Sequence, residues 1–150
     1  MEKLRHFNKD EFVLNLLHIV QKENPKHRKD LGQCAHFVAE ALRRSGVRLP
    51  NLNVPKGHDH AYLYEKHLIS AGFQQVAYDR EYKAQKGDVM IWHPYREEPT
   101  KKNPSGVCHP HGHMQAFLGH HWFSDFRQNT PYPWPDYPHA RCFVYRQSEN

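Results

Sequence analysis

Apolar residues recur at intervals of three and four through the first half of the chain. Phe12, Val13, Leu16, Leu17 and Val20 form one stripe, with Asn8, Asp10 and Glu11 before it and Asn24-Pro25 after it. This order predicts a helix from about Lys9 to Glu23, capped by Asn8, with carboxylates in the first turn. A second stripe, Cys34, Phe37, Val38, Ala41 and Leu42, follows Gly32 and ends with Arg43, Arg44 and Gly46. It predicts a helix that opens on a cysteine. Residues 47–57 read as loop, and a third helix is expected from Asp59 to Ser70, with Gly72 as its stop.

After Gly72 the period shortens to two. Phe73 to Ala77, Val89 to Trp92, His113 to Leu118, Trp122 to Phe126 and Arg141 to Arg146 are expected strands. Lys86-Gly87-Asp88 is a turn, residues 93–111 a long Pro-rich loop, and Gly119 a break between strands. Helices first and strands afterwards define an α+β protein, with N-terminal helices packed on a small antiparallel sheet. At 150 residues the chain is expected to be one domain, 1–150.

Composition narrows the choice of function. A hydrophobic share of 38% with 13% aromatics suits a polar globular enzyme rather than a disordered or membrane chain. The formal charge of +5 favours an anionic partner, but no run of five basic residues marks a nucleic-acid arm. A nuclease would also need a phosphate-cradling glycine loop or an acidic cluster for magnesium, and neither is present. Phe12 to Val20 contains Asn15 and His18 and follows an acidic pair, which argues against a signal-peptide core and against membrane insertion.

Three cysteines, Cys34, Cys108 and Cys142, are too few for a disulfide framework, although Cys108 and Cys142 remain a candidate pair. Cys34 is the candidate nucleophile. At a helix start, free N–H groups and the positive end of the dipole favour a thiolate, so a lowered thiol pKa is expected. A cysteine hydrolase also needs an imidazole and a group that orients it. Fourteen histidines make proximity alone uninformative, and Gly-His pairs occur at 57–58, 112–113 and 119–120. Only His113 opens a strand. If 113–118 and 122–126 form a hairpin, Asp125 falls opposite His113 or one position away, within reach of its ring.

One competing constellation is Cys108-His109-Pro110-His111-Gly112-His113, with three histidines and a thiol at zinc-ligand spacing. Pro110 and Gly112 disfavour the regular strand that would align them, and His58-Asp59-His60 reads more simply as a loop and helix cap. Trp92, Tyr95, Trp122, Trp134 and Tyr137 are candidates for a groove, with Trp92 and Trp122 preferred as core.

Gly32-Gln33-Cys34 at a helix start, Lys86-Gly87-Asp88-Val89-Met90-Ile91-Trp92 and Gly112-His113-Met114-Gln115-Ala116-Phe117-Leu118-Gly119 follow in an order that resembles a known group. The chain resembles the papain-like cysteine amidases of the CHAP and NlpC type over roughly residues 30–126. Their permuted branch places histidine before cysteine and does not fit. The resemblance implies a papain-like fold and hydrolysis of an amide bond in peptidoglycan stem peptides. It assigns Cys34 as nucleophile, His113 as base and Asp125 at a variable third position, with no metal or organic cofactor. Where papain-like proteases carry an oxyanion-hole glutamine, this chain has the basic Lys26 to Lys29 segment. The Cys34 backbone N–H then supplies one oxyanion donor.

The group includes phage lysins, wall-remodelling enzymes and toxins injected by type VI secretion. With no signal-peptide core, the expectation is synthesis in the cytoplasm and action in the periplasm or wall after specialised secretion or lysis, as a monomer, and for an injected toxin a cognate immunity protein as candidate partner. The alternatives are a cysteine protease or deamidase acting on a protein, and a non-enzymatic zinc-binding module.

Overall fold

The computed structural model of the chain describes residues 7–29, 33–50 and 60–147. Helix α1 runs Lys9–Glu23, and the Asn8 side chain caps it by accepting the Glu11 N–H at 3.0 Å. Helix α2 runs Cys34–Arg44 and carries Ala35, Phe37, Val38, Ala41 and Leu42 on its buried side. The predicted Gly32 turn and most of the 47–57 loop lie outside the described residues. So does the Asp59 start of the third helix. What is described there is a 3₁₀ turn, Ala61–Tyr64, followed by helix α3, Glu65–Ser70. The split has a local cause: Leu63 N–H closes on His60 C=O in a tight three-residue step, and Ala61 N–H is committed to His111 C=O.

Eight strands follow among the described residues: β1 Phe73–Val76, β2 Val89–Trp92, β3 Tyr95–Arg96, β4 Val107–Cys108, β5 His113–Phe117, β6 Trp122–Phe123, β7 Arg127–Gln128 and β8 Cys142–Gln147. Six form an antiparallel sheet in the order β1-β8-β2-β5-β6-β7, and β3 pairs with β4 inside the segment expected to be loop. The architecture is the expected α+β, with α1 and α2 packed on one face of the sheet.

Side-chain alternation divides the core in two. Val89 and Ile91 of β2, with Met114 and Ala116 of β5, pack under the helices against Phe12, Leu16, Val38 and Leu42. Met90, Trp92, Trp122, Tyr137 and Val144 build a second cluster on the far face. Strand β2 is therefore buried on both sides, which explains its unbroken apolar run. Trp92 and Trp122 are core residues, as expected.

Lys86-Gly87-Asp88 delivers the chain into β2. Asp88 is fully buried, and its carboxylate accepts from Arg146 Nε and Nη2 at 2.8 Å each, from the Tyr82 hydroxyl at 2.8 Å and from Gln85 N–H at 3.0 Å. The motif's acid is thus a structural anchor between that turn and β8.

The predicted strand 122–126 divides. Ser124 N–H bonds back to Phe126 C=O at 3.0 Å, and the chain reverses so that Phe123 pairs with Arg127 and Trp122 with Gln128. A Ser-Asp turn prevails over the period-two pattern here. Asp125 is consequently placed in a hairpin tip rather than across a strand from His113.

Candidate active site

Cys34 opens α2, and the backbone N–H groups of Met114, Ala35 and Cys34 itself lie near enough to its thiol to favour the charged form. Met114 follows His113 in β5, so the helix start and the strand start meet at this thiol. Tyr137 lies at the same junction: its ring centroid is 6.0 Å from that of His113, and it is close enough to Cys34 for a thiolate there to raise its hydroxyl pKa. The structure therefore gathers the helix-borne thiol and the strand-borne imidazole into one region.

The expected low thiol pKa is reversed. Burial, with the nearby Asp125 carboxylate as a second cause, pushes the thiol up to about 12 despite the N–H groups around it. Desolvation of a charge outweighs the helix dipole when water is excluded from the helix start. His113 moves the other way. Burial lowers its pKa to about 4, although the neighbouring amides of Gln128 and Gln115 act to raise it. The resting site thus holds a neutral thiol and a neutral imidazole.

The ring partner of His113 is Gln128, not Asp125. His113 Nε2 and Gln128 Oε1 are 3.0 Å apart, both residues being buried. Asp125 instead accepts Gln33 N–H at 2.9 Å and the Ser124 hydroxyl at 3.2 Å, while its backbone carbonyl takes the Asn24 side-chain amide. It ties the end of α1 and the residue before Cys34 to the hairpin tip. Sequence reasoning missed Gln128 because it sits on a two-residue strand behind an unpredicted turn, where no periodicity can appear. The one available signal was a single amide following the Ser124-Asp125 turn residues.

Gly112 sets the close entry to β5. It has φ +67°, and a Cβ there would lie 2.4 Å from the Trp92 carbonyl oxygen, so only glycine fits. Trp92 is the register partner of His113.

The zinc alternative does not assemble. His109 pairs with Asp136 at 2.7 Å, His111 faces His60 at 3.3 Å, and His113 faces Gln128. Among the described residues no group of three or more His, Cys, Asp or Glu converges as metal ligands. Cys108 and Cys142 are free thiols, so the candidate pair is not formed.

Fold and site together define an α+β protein in which a helix-opening cysteine lies against the start of the strand that a histidine opens. Neither a protein-family model nor a curated protein matches the chain. Two solved structures are similar to it. One is the native type VI effector–immunity complex Tae3–Tai3 from Ralstonia pickettii, with 23% identity and a TM-score of 0.64, covering 95% of this chain and 100% of that chain. The other is the selenomethionine form of that complex, with 26% identity and a TM-score of 0.61, covering 91% and 99% respectively. The likeness establishes the fold. Among the described residues no helix is long and apolar enough to cross a membrane.

Proposed function

We propose that this chain is a papain-like cysteine amidase, delivered as a type VI antibacterial effector, that hydrolyses an amide bond in peptidoglycan stem peptides. The observation that carries this reading is the meeting of the Cys34 thiol with the start of β5, beside a buried His113 whose Nε2 is engaged by Gln128. That bond places the ring proton on Nε2 and leaves the lone pair on Nδ1. The fold shared with chains of an effector–immunity complex supports the delivery route and a cognate immunity protein as partner.

With thiol and imidazole both neutral at rest, no preformed ion pair attacks. His113 Nδ1 takes the thiol proton as Sγ bonds to the substrate carbonyl carbon, acting as general base. The C–N bond then breaks as the imidazolium returns the proton to the leaving amine. Water, deprotonated by the same nitrogen, hydrolyses the thioester and regenerates the thiol. The Cys34 backbone N–H serves as one donor to the oxyanion, a role worth about 2.7–4 kcal/mol per donor in related chemistry. Asp125 contributes by fixing Gln33 beside the nucleophile.

The test is digestion of purified peptidoglycan sacculi, with fragments identified by mass spectrometry. New free amino groups matched by new stem-peptide carboxylates are expected. Release of ammonia without cleavage would indicate a deamidase, and unchanged sacculi with hydrolysis of a protein substrate would overturn the wall-amidase reading.

A further inference from the structure

We propose that Gln115 is a positioning residue: with the Pro131 carbonyl it fixes which way the Gln128 amide points, and through it which nitrogen of His113 carries the proton. This inference rests on the reading of His113 as the base. Gln115 is fully buried in the middle of β5, on the face it shares with His113, Met90 and Trp92. A buried primary amide without partners is costly, so its bonds must be accounted for. Its Nε2 donates to Pro131 C=O at 2.8 Å and contacts Met90 Sδ at 3.3 Å, while its Oε1 accepts from Gln128 Nε2 at 2.9 Å.

Each link has only one permitted polarity. A backbone carbonyl can only accept, so Pro131 turns the NH₂ of Gln115 toward itself and leaves Oε1 facing Gln128. An amide oxygen can only accept, so Gln128 must present its NH₂ there, and Thr130 C=O at 3.2 Å pulls the same group the same way. Gln128 Oε1 is left for His113, which must then donate from Nε2. The direction set at a loop carbonyl is thus carried through two side-chain amides to the imidazole. If Gln128 turned over, its NH₂ would face Nε2, the ring proton would move to Nδ1, and the lone pair would leave the reacting side. Pro131 C=O also accepts Trp92 Nε1–H at 3.1 Å, which holds the anchoring carbonyl in place.

The experiment reads the tautomer directly, by ¹⁵N NMR of histidine-labelled protein near pH 7, with the His113 signals assigned from a His113→Gln variant. The unmodified protein is expected to show His113 wholly protonated on Nε2. Gln115→Met, close in volume but without hydrogen bonds to give, should yield a mixture of tautomers, with kcat lowered about tenfold and KM little changed. If Gln115→Met does not fold, Gln115→Asn provides the same test, because its amide is one methylene too short to span Pro131 and Gln128. A Gln128→Glu background supplies the control: a carboxylate has no N–H to present, so loss of Gln115 there should leave the Nε2–H tautomer unchanged. A single Nε2–H tautomer with unchanged kcat in the Gln115 variants would overturn the proposal. The tautomer is read without substrate, so its outcome is separable from the amidase reading, which fails if sacculi are not cleaved.

Discussion

His113 and Cys34 depart from their ordinary acid–base ranges in opposite directions, and both departures have measurable consequences. A base held near 4 stays unprotonated well into mild acid, and a thiol near 12 stays protonated at neutral pH. The profile of kcat/KM against pH should therefore be flat from about 5 to about 9, with the acid limb near 4 instead of near the usual 6.5. The same burial affects stability. The folded-state pKa lies below that of the unfolded chain, so unfolding takes up a proton between the two values. This contribution is intact above about 6.5 and is lost as pH falls toward 4, costing about 3 kcal/mol across that window. Urea titrations at pH 7 and pH 4.5 in wild type and His113→Gln should show the difference, with the variant losing less. Asp125 and Gln128 separate at this scale as well. Gln128→Met should lower turnover about 100-fold by freeing the imidazole tautomer. Asp125→Asn, which still accepts the Gln33 N–H, should stay within a few-fold of wild type. The reverse ranking in steady-state kinetics would restore Asp125 as the partner of His113.

Among the elements, legibility followed length and periodicity. Helix α1 carries a full stripe, an Asx cap and a Pro stop, and its observed bounds of Lys9–Glu23 coincide with the expected ones. Strand β2 announced itself by an apolar run that only a strand buried on both faces needs. The two-residue strands β3, β4 and β7 have no period to read, because two residues cannot show an alternation and their pairing is set by the connections that fold them back, while β6 keeps the first two residues of the expected 122–126 strand. The site divided along the same line. Cys34 and His113 were legible because each opens a regular element, whereas Gln128 was not, since a turn at Ser124-Asp125 determined its position. Gly112 lies between these cases, legible as a breaker but not as the residue that lets β5 close on Trp92. Gly112→Ala forces a Cβ against the Trp92 carbonyl and requires a φ that alanine resists. It should therefore displace His113 and lower kcat about tenfold or more while far-UV circular dichroism stays close to wild type. An active Gly112→Ala enzyme with wild-type kcat would show that the β5 entry tolerates movement.

For the whole molecule, a net positive charge accompanies a thiol and an imidazole that are both neutral at rest. On the proposed reading, the +5 charge would concentrate the protein on an anionic polymer without taking part in bond cleavage. Turnover on intact sacculi should accordingly fall between 50 mM and 500 mM salt, while turnover on a small soluble muropeptide should change little. Equal salt sensitivity on both substrates would assign the charge effect to the site itself. The proposed chemistry rests on one sulfur atom, and replacing it is the most direct test. Cys34→Ser, assayed for release of soluble fragments from purified sacculi beside Cys108→Ser and Cys142→Ser, should retain the fold and lose nearly all activity, while the other two variants keep most of theirs. Sacculus cleavage by Cys34→Ser at the wild-type rate would contradict a cysteine mechanism.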